Sequence, residues 1–188
     1  MTYQVTKDAR EFFKQLHSYM SREDVERVQR AFSFARRGHG TQRRRSGELF
    51  FIHPLAVARY LADYQMDAPA LMAALMHDVA EDTPATVDEI AELFGADVAL
   101  LVDGVTKLKE VTADIRQGRK MSRKEVQDGT LLKLLGVMTN DIRSVIVKLF
   151  DRLHNLRTIS SMPPHKQVEK AEETLLVYAP LANRLGLW

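Results

Sequence analysis

The stretch ALMHDVAEDTP, residues 74–84, places His77, Asp78, Glu81 and Asp82 directly behind an apolar run. Imidazole nitrogens and carboxylate oxygens together are the donor set that suits manganese, iron, zinc or nickel, and carboxylates also move protons. On a continuous helix His77 and Glu81 fall one turn apart, as do Asp78 and Asp82, giving two adjacent columns of ligand-type side chains. Leu71, Met72, Leu75, Met76 and Val79 form the apolar arc. Asp78 and Asp82 border that arc, which predicts that both are partly buried. Three carboxylates this close repel one another, and no lysine stands between residues 61 and 106 to offset them. A bound cation would relieve the repulsion; an ordinary exposed acidic face is the other reading of the same residues.

A second constellation lies in VIVKLFDRLHNLRT, residues 145–158. Val145, Ile146, Leu149, Phe150, Leu153 and Leu156 form an apolar face, while Asp151, Asn155 and Thr158 share a polar column. Lys148 and Arg152 are available to pair with Asp151. A third piece is FIHPLAV, in which His53 stands just before Pro54 where a helix begins; a cap or a packing residue is its plainer role. His53, His77, Asp78 and Asp151 together supply two imidazoles and two carboxylates. The stretch RRGHGTQRRR, residues 36–45, carries five arginines and no acid; it is either a solvated stretch or an anion site, since arginine makes two-pronged bonds to phosphate.

The elements that must position these groups read as helices. Apolar positions at three- and four-residue spacing predict helices at about 6–19 and 22–38, the second capped by Ser21 and stopped by Gly38 and Gly40. Further helices are predicted from Pro54 to about 64, over about 68–82, and from Thr86 to Gly95. Others begin at ADVALLVDGVTKL and run over about 131–139, 141–160 and 165–185. Residues 111–130 are polar with no apolar stripe and read as a flexible segment. The short LFFI is the one stretch that reads as extended, and a lone strand has no partner. The fold class is all-α, and 188 residues suggest one domain.

The chain has no cysteine, which excludes disulfides and thiolate metal sites. Its net charge is only +2, which argues against a nucleic-acid partner. No apolar run is long enough to span a bilayer and MTYQVTKDAREFF has no signal-peptide pattern, so no membrane partner and a cytoplasmic protein are expected.

Taken in order, His, His-Asp and Asp resemble the HD-domain metal phosphohydrolases. RRSGELFFIHPLAVA, LMAALMHDVAEDTPAT, LFGADVALLVDGVTKL, IVKLFDRLHNLRT and ETLLVYAPLANRLGLW are similar to the hydrolase domain of the long RelA/SpoT homologues, over about residues 5–188. The resemblance implies a helical bundle with a metal site between helices. It also implies manganese-dependent removal of the 3′-pyrophosphate from the alarmones ppGpp and pppGpp. It places the metal ligands on His53, His77, Asp78 and Asp151 and the catalytic acids on Glu81 and Asp82. Guanine contacts fall on Arg44, Arg45 and Ser46, and ribose and phosphate contacts on Asn155 and Thr158. Many relatives read RKSGEPYI where this chain reads RRSGELFF, so Arg45 keeps the charge of a lysine with a different donor geometry. Long relatives continue into a synthetase domain, and this chain is expected to be an isolated hydrolase domain, residues 1–188. The alternatives are another HD-type nucleotide phosphohydrolase and a non-catalytic alarmone-binding module.

Overall fold

The computed structural model describes residues 3–117 and 141–186. Among these the secondary structure is helical, apart from an isolated antiparallel bridge between Arg43 and Leu49. The chain divides at Asp103–Gly104 into two compact units, and the division falls inside a helix rather than in a linker. Among the described residues no helix is long and apolar enough to cross a membrane.

The first unit holds α1 (Tyr3–Leu16), α2 (Arg22–His39), α3 (Ile52–Asp63), α4 (Ala68–Met76), α5 (Val79–Asp82), α6 (Val87–Phe94) and the start of α7 (Ala96–Gln117). The expected caps are present: Ser21 accepts from the Asp24 amide and Thr86 from the Glu89 amide. α4 packs against both α2 and α3. All its residues but Pro69 are buried, and His77 just beyond it is 1% exposed. The sequence wheel put Leu71, Met72, Leu75, Met76 and Val79 on one apolar arc with His77 on the opposing arc, and in the structure burial extends all round. Ala70, Ala73 and Ala74 add little to an apolar stripe, yet they let neighbouring helices close over every side, which makes α4 a central helix. Each Leu or Met buried there contributes roughly 1.5–3 kcal/mol. Phe13, Phe32 and Phe51 continue the core as edge-to-face pairs. Arg59 ties α3 to α1 through Asp8 and Glu11.

The second unit holds the rest of α7, α8 (Ile142–Arg157), a 3-10 turn (Ile159–Ser161), α9 (Pro164–Glu173), a π-helical turn (Thr174–Tyr178) and α10 (Ala179–Arg184). The helix expected to end near 110 continues to Gln117, so the first seven residues of the polar 111–130 segment are helical. The remainder of that segment, and the helix predicted over 131–139, lie outside the described residues. Leu108, Val145, Val177, Tyr178 and Leu181 form this unit's apolar core. A Cβ on Gly104 would come within 2.5 Å of Ser144 Oγ, so only glycine lets α7 approach α8 this closely.

α8 departs from its predicted face. Ile146, Leu149, Leu153 and Leu156 are only partly buried, whereas Lys148, Asp151, Arg152 and His154 are buried. Charge is tolerated inside because it is paired: Lys148 Nζ lies 2.7 Å from Asp151, and Arg152 Nη2 lies 2.8 Å from Glu173. The Arg152 guanidinium also sits 4.2 Å from the centre of the Tyr178 ring.

Asp141 caps α8 by accepting from the Arg143 amide at 2.9 Å, and the Arg143 guanidinium closes on the same carboxylate at 2.6 Å. Chiefly through that side-chain hydrogen bond, its pKa is held below the usual carboxylate value. The folded state therefore binds the proton more weakly than the unfolded chain. The resulting stabilisation is complete above the ordinary carboxylate range and is lost as pH falls through the lowered folded-state value. Asn caps as well as Asp, so Asp141→Asn isolates the charge. Thermal melts should show the variant less stable by about 1 kcal/mol or less near neutrality, with the gap closing as pH falls below the ordinary carboxylate range and through the lowered folded-state value.

Candidate functional site

In the first unit α4 stops at Met76, and His77 and Asp78 form a turn before the single-turn helix α5. The local cause is visible. His77 Nδ1 lies 2.8 Å from the Ala74 carbonyl, the oxygen that would accept from residue 78 in a continuing helix. The two-column wheel drawn for one continuous helix therefore does not hold, and the break is what aims His77 and Asp78 at the same point. His77 Nε2 lies 3.2 Å and His53 Nε2 3.7 Å from the same oxygen, Asp78 Oδ2. The two rings meet edge to face at 5.2 Å. Both histidines are buried, and the Asp78 side chain is 15% exposed. His53 is delivered by the first turn of α3, with its amide bonded to the Phe50 carbonyl.

These distances test whether a cation suits the cluster. A carbonyl oxygen can only accept, so His77 Nδ1 carries the hydrogen that bonds Ala74. In the neutral ring Nε2 is then a lone pair, and it faces a carboxylate oxygen that also only accepts. Only a proton or a cation between them makes the contact favourable. A histidine whose far nitrogen is bonded to a backbone carbonyl is the usual arrangement of a metal-ligating imidazole. His53, His77 and Asp78 thus form a His/His/Asp cluster, its two imidazoles buried and Asp78 half-buried, able to hold a divalent metal.

Glu81 and Asp82 follow on α5, and both are exposed, which corrects the half-buried position expected for Asp82. With α5 a separate turn, the apolar arc of α4 does not extend under Asp82. α5 is anchored by Asp82 N to Asp78 O at 2.9 Å and closed by Thr83, whose hydroxyl donates to Val79 O at 2.7 Å.

The arginine-rich loop is built rather than loose. Arg44 N donates to Glu48 O at 2.9 Å, Gly47 turns with φ +86°, and Arg43 Nη1 donates to Gly47 O at 2.6 Å. The Arg44 guanidinium lies 3.6 Å from Glu48, while Arg45 and Ser46 are exposed. The LFFI stretch contributes only Leu49 to the bridge with Arg43, and α3 begins at its isoleucine.

Asp151, Asn155 and Thr158 belong to the second unit and form their own constellation. One Asp151 oxygen accepts from Lys148 and the other from Asn155 Nδ2 at 2.5 Å. Carboxylate oxygens offer two lone pairs each, so both keep capacity for a further partner while the two bonds fix the carboxylate's orientation. Thr158 caps the end of α8, its hydroxyl donating to His154 O at 3.0 Å. Two residues of the first unit carry no chemical motif yet join its site: Gln42 donates to the Asp82 carbonyl at 2.9 Å and is held by His39. His39 is 2% exposed.

Comparison with known proteins agrees with this geometry. A family model described as an HD domain matches residues 31–188. The bifunctional (p)ppGpp synthase/hydrolase SpoT of Escherichia coli K12 is 43% identical over 172 residues, covering 92% of this chain and 24% of that protein. The GTP pyrophosphokinase of Myxococcus xanthus is 44% identical over 164 residues, covering 87% of this chain and 21% of that protein. The chain thus spans at most 24% of the length of these curated relatives. Among solved structures, a metazoan ortholog of SpoT, reported to hydrolyse ppGpp and to play a role in starvation responses, matches with a TM-score of 0.59 at 24% identity. That match covers 86% of this chain and 97% of the other, and it is a likeness of fold. With its family model spanning most of the sequence and a His/His-Asp cluster in place, the chain belongs to the HD-domain family.

Proposed function

We propose that residues 1–188 act as one hydrolase domain that removes the 3′-pyrophosphate of ppGpp and pppGpp, giving GDP or GTP and pyrophosphate. The observation that carries the reading is the pair of buried imidazoles aimed at Asp78, directly followed by the exposed acids Glu81 and Asp82. The similarity to E. coli SpoT over 92% of the chain supports the choice of substrate. In this reading His53, His77, Asp78 and Asp151 hold a manganese ion. Such an ion supplies Lewis-acid polarisation of the 3′-phosphate and a lower pKa for water bound to it.

The chain's own residues do the rest. Water oxygen forms a bond to the phosphorus attached at O3′, and the bond from that phosphorus to O3′ breaks. Of Glu81 and Asp82, one accepts the water's proton and the other supplies a proton to the departing O3′. Arg44, Arg45 and Ser46 hold the guanine side, and Asn155 and Thr158 hold ribose and phosphate, so that positioning lowers the barrier. Lys148 orients the Asp151 carboxylate by a hydrogen bond at 2.7 Å. The protein works in the cytoplasm, and a synthetase domain is its partner within a longer polypeptide.

Product analysis tests this. Purified protein is incubated with ppGpp, dGTP or a cyclic nucleotide, with manganese or with chelator. GDP and pyrophosphate from ppGpp, in the manganese arm alone, are expected. Turnover of dGTP or a cyclic nucleotide in preference would identify a different nucleotide phosphohydrolase, and binding of ppGpp without turnover would identify a regulatory module.

A further inference from the structure

The loop that follows α2 reaches the acid-bearing turn through one side chain. Gln42 Nε2 donates to the backbone carbonyl of Asp82 at 2.9 Å, across 40 residues of sequence. Its other end, Oε1, lies 2.9 Å from His39 Nδ1. The direction of this relay is fixed by chemistry. The Asp82 carbonyl can only accept, so the amide nitrogen of Gln42 faces it and the amide oxygen faces His39. His39 must then carry its hydrogen on Nδ1. Its ring is buried and stacked on Phe50 at 4.7 Å, with Nε2 facing no hydrogen-bond partner among the described residues. Phe50 in turn meets His53 edge-on at 6.5 Å.

Three further contacts hold the relay. Gln42 itself is fixed at the backbone, its amide donating to His39 O at 2.9 Å and its carbonyl accepting from Phe50 N at 2.8 Å. One turn earlier, the Gly38 position lies against Thr83, the residue that closes α5. α5 is one turn long, and so short a helix has little cohesion of its own. Its orientation depends on outside contacts, and Gln42, in the loop after α2, supplies one at the carbonyl of the residue that bears an acid.

We propose that Gln42 is a positioning residue for the Glu81–Asp82 turn, held in register by the buried His39. The assignment of the two acids rests on the hydrolase reading above; the clasp itself does not. Gln42 is exposed, so its replacement removes the bond without opening the core. Two variants bracket the effect: Gln42→Ala deletes both bonds, and Gln42→Glu keeps the shape but its carboxylate cannot donate to the Asp82 carbonyl.

Four quantities are read in the intact chain: kcat and KM for ppGpp with manganese, manganese affinity from a titration, and amide hydrogen exchange across residues 77–85. Both variants should lower kcat about tenfold, leave KM and manganese affinity within about twofold, and speed exchange in 79–83. Exchange unchanged in both variants overturns the clasp, whatever the activity. Faster exchange with kcat unchanged overturns its role in positioning the acids. A parallel loss of kcat, substrate affinity and manganese affinity overturns the selective role, because it marks a general structural defect. A wild-type chain that does not turn over ppGpp sinks the hydrolase reading, and the exchange measurement still decides the clasp.

Discussion

Asp82→Asn protein will bind manganese as the wild type does and will lose turnover of ppGpp by about a thousandfold. The size follows from what a positioned acid or base contributes, typically 10²–10⁴ in rate. The substitution is nearly isosteric, and Asp82 is exposed, so packing is not disturbed. The bond from Gln42 is to the backbone carbonyl of Asp82 and survives the change of side chain. The His53/His77/Asp78 cluster is one turn away, with Asp82 N bonded to Asp78 O, and that backbone bond survives the change of side chain. Steady-state kinetics and a manganese titration of the same preparation separate the two effects. Activity within tenfold of wild type would remove Asp82 from the chemistry.

Chelation gives the second large effect. A ligand present at 100 times its Kd and bound only by the folded state stabilises by about 2.7 kcal/mol. For a chain of this size that raises Tm by roughly 5–10 °C. Manganese should therefore raise the melting temperature of the wild type, and chelator should return it and abolish turnover. His77→Ala and His53→Ala should each melt at a temperature indifferent to manganese, because each removes one of the two imidazoles that meet at Asp78. Both substitutions empty buried positions and will lower Tm on their own, so the quantity compared is the manganese-induced shift of each variant and not its Tm. A wild-type melt unmoved by manganese, together with turnover in chelator, would show that the cluster holds a proton and not a metal.

The site was readable in the sequence where residue type alone carries the chemistry. His53, His77 and Asp78 are ligand types beside helix signals, and they converge. What the sequence hid was conformation and long-range contact. A helical wheel assumes an unbroken helix, so it put His77 and Asp78 100° apart; the bond from the His77 ring to Ala74 O lies at the break that brings them together. α4 read as amphipathic because alanines weigh little in a stripe, although they are buried as fully as its leucines. In α8 the apolar count misplaced the buried face, since Lys148, Asp151 and Arg152 enter the interior by pairing, and pairing with Glu173 has no periodicity to detect. The polar stretch after residue 110 gave no apolar stripe, yet α7 carries on through Gln117. Gln42 and Asp82 are linked by one hydrogen bond across 40 positions, and no local pattern announces it.

The π turn at Thr174–Tyr178 has a consequence for how this protein tolerates change in chain length. Glu173 and Tyr178 are five positions apart, and both grip the guanidinium of Arg152. On an ordinary α-helix, five residues advance the side chains by about 140°, which would turn one of the two away. The wider i to i+5 turn brings them back onto one side. Shortening this stretch by a single residue would rewind it to an ordinary α-helix with the two groups four positions apart and about 40° from one another, so both would still reach the arginine; rewinding it at its present length would turn one of them away.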